Sequence, residues 1–262
     1  MRKSIAKQDA LTLNMNPPAI QLVGVCLGIV TLVHLFFEGV VRPAAERLIA
    51  EHGVSATNSL WVILKDFEQQ ACITLGFCCC FLMLYKLLRI INEEPIYTMN
   101  FLADYDNDQA IDIDRVLSDL EASSHSDSAA MSTWINCIRR FKHTANIQHA
   151  SDAISSSIES LAAQLESGNS MIRYFIWAIP SIGFVGTVRG IGSALAKAEQ
   201  AVSGDISGMV DKLGVAFNST LVSLVISLML MALLHALNNR QDQMVIKTRK
   251  TCEDYLLLHL HK

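Results

Sequence analysis

The chain has 262 residues, 51% of them hydrophobic and only 18% charged, with a mean hydropathy of +0.33. A soluble domain of this length carries nearer a quarter charged residues, and here the apolar excess falls in blocks, which points to an integral membrane protein. The net charge of −4 offers no basic field for nucleic acid, and the seven cysteines contain no Cys-x-x-Cys pair, so neither a zinc site nor a disulfide framework is supported.

Residues 1–18 are polar and basic (Arg2, Lys3, Lys7) and end in Pro17–Pro18. The apolar run 19–41 is too long and too far from the start for a cleaved signal peptide, so it reads as a first membrane span. His34 and Glu38 lie four apart on one of its faces, near its far end, where they either pair at the interface or serve ion movement. Residues 42–70 form a mixed link with an amphipathic piece, Leu60–Phe67, suited to a membrane surface. A second span covers 71–91, with Lys86 and Arg89 in its last turns, placed to snorkel to headgroups.

Residues 92–173 differ in kind: polar, rich in Ser and Asp, with apolar positions at helical spacing, as in a helical insert outside the membrane. Asp104, Asp106, Asp108 and Asp112 mimic the start of a calcium loop. The pattern fails where Gln109 replaces the turning glycine and Arg115 the closing glutamate, so no metal is expected. The tract Ser123–Ser132 reads as a turn or break, and His143 and His149, six apart, do not share a helix face.

The third span lies at 174–196, the link 197–208 contains two glycines, and the fourth span, 213–237, is the cleanest. A basic tail, 238–262, has the pattern of a surface helix. Most of the chain's 21 Lys and Arg fall in the N-terminus, the insert and the tail, whereas the two links between spans hold Arg42, Arg47, Lys65, Lys197 and Lys212. The positive-inside rule then puts both termini and the insert in the cytoplasm and makes 42–70 periplasmic. The expected fold is an all-α membrane protein with four transmembrane helices, a helical cytoplasmic insert between the second and third, and a C-terminal cytoplasmic helix.

In the third span, Pro180, Gly183, Thr187, Gly190 and Ala194 share a narrow arc with no bulky side chain, a stripe that lets a second helix come close. In the fourth, Thr220, Ser223 and Ser227 share a face. Thr187 and Thr220 sit at similar depth, roughly 10–14 Å below the outer surface at 1.5 Å per residue. The two faces suggest one shared polar seam. Simple helix packing, with Thr187 bonded to its own backbone, is the competing account. Neither span contains Asp or Glu, so an ion moving along the seam would need a carboxylate from elsewhere, most simply from a partner's transmembrane helix. Arg189 points away from Thr187, either toward the outer interface or to an ion pair with Glu38.

The pattern Pro180-x-x-Gly183-x-x-Gly186-Thr187-Val188-x-Gly190-Ile191, followed by Ala216-Phe217-x-x-Thr220-Leu221-x-Ser223-Leu224, resembles the MotA/TolQ/ExbB proton-channel family. The resemblance covers roughly 174–237 and includes the insert before the pair and the basic tail after it. It implies a subunit of the bacterial inner membrane that assembles as a homopentamer around the paired helices of a MotB/TolR/ExbD-type partner. The partner's Asp binds the transported ion, H+ or alternatively Na+, and ion flow drives a stator or motor complex. The resemblance places Thr187 and Thr220 at the two pore threonines and Pro180 at the proline of the third span. Ser223 and Ser227 extend the expected ion path, and Gly183, Gly186 and Gly190 its packing face. No enzyme chemistry and no cofactor are expected. The alternative is a non-conducting membrane scaffold that keeps the packing motifs.

Overall fold

The computed structural model describes residues 16–53, 56, 59–102, 113–123, 126, 128–204 and 206–257. Among them every regular element is a helix, and four helices are long and apolar enough to cross a membrane: Ala19–His52, Phe67–Thr98, Ile147–Leu195 and Ser207–Leu256. The all-α fold and the four apolar helices are thus observed. The calcium-like residues 104–112 lie outside the described residues, as does the basic N-terminus. Among the described residues no His, Cys, Asp or Glu side chains cluster as a metal site.

The chain divides into two compact units. Of the described residues, one unit comprises those within 18–83 and 171–234, the other those within 84–170 and 235–257. In the first unit, α1 (Ala19–Phe36) starts directly after Pro18, whose fixed φ suits the helix entry. It runs through a π-helical turn, Phe37–Val41, into α2 (Arg42–His52). Pro43 explains the turn: it has no N–H for the Gly39 carbonyl, and Arg42 N–H bonds back to Phe37 in the wider register. α2 stops at Gly53, whose φ of 55° suits glycine. The helix therefore continues past residue 41, the expected limit of the span. A short α3 (Leu60–Leu64) carries exposed Leu60 and Trp61.

α4 (Phe67–Thr98), α8 (Ser170–Leu195) and α10 (Ser207–Thr251) belong in part to each unit. A one-turn helix, α9 (Ala198–Val202), lies between α8 and α10. α4 and α10 run well past the apolar stretches that mark the second and fourth spans. Residues 238–250 contain no Gly or Pro to stop the helix, so α10 continues into a π-helical turn at Cys252–Leu257.

The other unit adds α5 (Ile113–Ala122), α6 (Ala129–Thr144) and α7 (Ile147–Gly168). Ser128 caps α6 by accepting from Met131 N–H at 3.1 Å, so the predicted break ends there and Ser132 is already helical. α6 closes on Ala145 in the left-handed region, and Asn146 caps α7. Ala150, Ile154, Ile158, Leu161 and Leu165 follow at helical spacing on α7's buried face. Ala150, Ile154 and Ile158 help enclose a core with Trp134, Ile138, Val116 and Leu120, into which the π-helical turn after α10 sends Cys252 and Leu256. Phe101 meets Trp134 edge to face at 5.2 Å. Burial pushes the Cys137 thiol up to about 12.

The junction of α7 and α8 is held by polar contacts. Lys86, 3% exposed, donates to the Gly168 carbonyl at 3.0 Å, and Asn169 donates to Asn238 and Gln241 at 3.0 and 2.6 Å. Lys86 therefore does not snorkel outward as expected. The end of α7 offers it an unpaired helix carbonyl, a favourable site for a cation. Arg89 turns back along its own helix onto the Tyr85 ring and hydroxyl.

Candidate functional site

The site lies where α8 packs on α10. A Cβ added at Gly183 would stand 1.9 Å from Ser223 Oγ, at Gly186 2.7 Å from Ser219 Cβ, and at Gly190 2.7 Å from Ala216 Cβ. The stripe thus lets the two backbones approach across Ser223, Ser219 and Ala216. Gly183, Gly186 and Gly190 occupy the packing positions that the sequence suggests.

Thr187 and Thr220 face each other in this contact. Thr187 Oγ1 lies 3.2 Å from the Gly183 carbonyl, 3.0 Å from the Ala216 carbonyl, and within hydrogen-bond distance of Thr220 Oγ1. Thr220 Oγ1 also lies 3.5 Å from the Gly183 carbonyl. Each hydroxyl has one proton and two lone pairs, so these two cannot donate to every acceptor around them at once. Acceptors exceed donors, and both threonines are part-buried at the edge of the contact. Such a group can take a hydrogen bond from an arriving acid, water or hydronium, or offer oxygens to a small cation.

The serines are more deeply enclosed. Ser223 donates to the Thr220 carbonyl at 2.9 Å, and Ser219 to Val215 at 3.0 Å. Ser227 Oγ donates across the interface to the Ile176 carbonyl at 3.1 Å. That carbonyl is four residues before Pro180, which has no N–H to pair with it; Ser227 supplies the missing donor. Pro180 and Ser227, read separately in the sequence, are one structural device. Ser227→Ala is expected to leave the Ile176 carbonyl unpaired and cost about 1–3 kcal/mol, measurable as a lower melting temperature in detergent. Ser227→Thr, which keeps the donor, should recover much of it.

Arg189 does not pair with Glu38. Glu38 is taken by Arg42, one turn on along the same helix, while Arg189 Nη2 bonds Glu68 Oε2 at 2.7 Å. Nor does Glu38 pair with His34, whose Nδ1 lies 3.0 Å from Gln70 Nε2; Gln70 Oε1 in turn accepts from Arg42 at 3.3 Å. The first turn of α4 thus carries three buried polar side chains, Glu68, Gln69 and Gln70. Glu68 is 5% exposed, and its Cγ lies 3.0 Å from where a Gly186 Cβ would be. This carboxylate is absent from the sequence-based site because it precedes the apolar run at residue 71. A usable signal was there: no Gly or Pro separates Phe67–Gln70 from that run, so one helix had to include both.

Beside Glu68, burial holds the Asp66 carboxyl above its usual value; Lys65 opposes this and Glu68 adds to it. The folded chain therefore binds that proton more tightly than the unfolded one. Its stability falls as pH rises from the ordinary Asp value through the raised one. Asp66→Asn is expected to raise the melting temperature at neutral pH. The gain should vanish in acid below the ordinary Asp value, where both side chains are neutral.

Residues 121–250 match the model of the MotA/TolQ/ExbB proton channel family. No curated protein and no solved structure gave a match.

Proposed function

This chain belongs, through residues 121–250, to the MotA/TolQ/ExbB proton channel family, and from that premise we propose that it is the channel-forming subunit of an ion-driven motor of the bacterial inner membrane. Copies of the chain assemble as a pentamer around the paired transmembrane helices of a single-span partner of the MotB/TolR/ExbD type. The partner contributes an Asp that carries H+, or Na+ in a sodium-driven machine, past Thr187 and Thr220. Both termini, the 92–173 insert and the 238–262 tail face the cytoplasm, and ion flow is converted to rotation or mechanical work.

The observation that carries this reading is the facing pair Thr187 and Thr220, at the edge of a contact between helices with no acid in their apolar spans. A hydroxyl pair whose acceptors outnumber its donors suits an acid brought in from outside the α8–α10 hairpin. An unpaired cation at Arg189 would obstruct a proton path and so favour the scaffold alternative. Its pairing with Glu68 leaves no unpaired charge there and weakens that objection.

The test is the mass and composition of the complex extracted from its native membrane. Native mass spectrometry should give a pentamer of this chain with a smaller single-span protein bound. A monomer without that partner contradicts the proposal.

A further inference from the structure

We propose that Glu68 is a proton-carrying group of this chain itself, at the outer approach to the Thr187–Thr220 seam, held by Arg189 when ionised and released from it when protonated. The inference rests on the channel reading above and adds a residue to it.

The geometry argues for a working carboxylate. Glu68 packs against Gly186, the residue before Thr187: a Cβ there would stand 3.0 Å from Glu68 Cγ and 2.7 Å from the Oγ of Ser219, the residue before Thr220. Its carboxylate is buried while its partner guanidinium is about half exposed, 7% against 55% for the side chains. A buried carboxylate is costly to keep ionised without a partner, and Arg189 is the group that supplies one. Gln69, next on the same turn, is 1% exposed, and neither its Oε1 nor its Nε2 has a partner. Two unpaired polar atoms in one buried amide call for a water or a polar group beyond this chain. A buried acid beside a buried amide that has no partner within this chain is an arrangement through which a proton can be passed on.

The charges around Glu68 are specific. From α8 it meets Arg189. On its own chain segment stand Lys65, Asp66 and, one turn inward, the Cys72 thiol. From α10 come Lys212, which acts on the neighbouring Asp66, and Asp211, 3.6 Å from Lys65. On the side of α4 toward α1, His34, Glu38 and Arg42 close on one another and on Gln70. Arg189 is the direct partner of Glu68, so protonation of Glu68 releases one guanidinium and leaves a neutral acid beside the seam.

The experiment uses the full-length chain in its native membrane. Dicyclohexylcarbodiimide, an apolar reagent for protonated carboxyls, is applied across a pH series, and labelled peptides are identified by mass. Labelling at Glu68 is expected to rise as pH falls, to increase in Arg189→Gln and to vanish in Glu68→Gln. No labelling at Glu68 at any pH, with other carboxyls labelled, overturns the proposal. Proton flux supplies the second arm: Glu68→Gln should lose at least about tenfold, equivalent to about 1.4 kcal/mol, while Glu68→Asp keeps part of it. The exchanged pair Glu68→Arg with Arg189→Glu preserves the ion pair but moves the acid, and should remain inactive. Full flux in that exchange would make the pair a mere lock between helices and overturn the relay. The labelling does not depend on conduction, so it stands apart from failure of the channel reading, which would appear as flux indifferent to Thr187 and Thr220.

Discussion

Gly190→Leu is expected to separate α8 from α10 and leave no assembled complex. The atoms that a new Cβ would meet at Gly190 are Ala216 Cβ at 2.7 Å, N at 2.8 Å and Cα at 2.9 Å. Two of the three are backbone, so no side-chain rotation makes room. Overpacking of this kind costs about 1–3 kcal/mol for modest additions, and leucine adds three more carbons at the point of closest approach. Even Gly190→Ala should lower the melting temperature of the detergent-solubilised chain. Gly192→Ala and Gly214→Ala are the controls, since a Cβ at either meets nothing within 4 Å. Both are helical, so alanine there should be neutral or stabilise by up to about 1 kcal/mol. Equal behaviour of Gly190 and Gly192 would mean that the close approach of α8 and α10 does not sustain the fold.

Thr187→Val with Thr220→Val should separate folding from conduction. Valine keeps the branched shape of threonine and removes the hydroxyl. The Gly183 and Ala216 carbonyls that the threonines approach lie inside α8 and α10, where they face the backbone N–H groups of residues 187 and 220. Loss of the side-chain bonds therefore leaves no carbonyl stranded, and each site should cost no more than about 1 kcal/mol. Flux through the assembled complex is expected to fall by at least about tenfold, because the oxygens that can meet a passing proton or cation are gone. Thr187→Ser with Thr220→Ser retains those oxygens and should retain most of the flux. A valine pair that conducts normally would remove the threonines from the ion path.

The features that were legible in the sequence are those written at short range along one helix. The stripe of Gly183, Thr187 and Gly190, and the common face of Thr220 and Ser223, follow from helical periodicity alone, whereas Gly186 comes from the family pattern; the structure brings them together. The apolar runs likewise gave the four long helices. Contacts made at long range were not legible. For Arg189 the sequence offers either the outer interface or Glu38, the acid within a recognised span. Its actual partner, Glu68, lay just outside the hydropathy window although on the same continuous helix as the second span. Lys86 was placed at the headgroups by its position near a span end. The acceptor that holds it, the Gly168 carbonyl, exists only because α7 ends there. Ser227 and Pro180 each invited a separate role, and only their distance in space shows that one repairs what the other removes. Helix ends were misjudged for a simpler reason: hydropathy marks where a helix could meet lipid, whereas helical hydrogen bonding in α4 and α10 continues until the chain stops it.

The seam described here contains two hydroxyls and awaits an acid from outside the α8–α10 pair. An experimental structure of the complex extracted from its native membrane, resolved at Thr187 and Thr220, tests that directly. The account predicts a protein helix against both threonines, bearing a carboxylate at their level. Lipid chains against both, around a solitary copy of this chain, would contradict it.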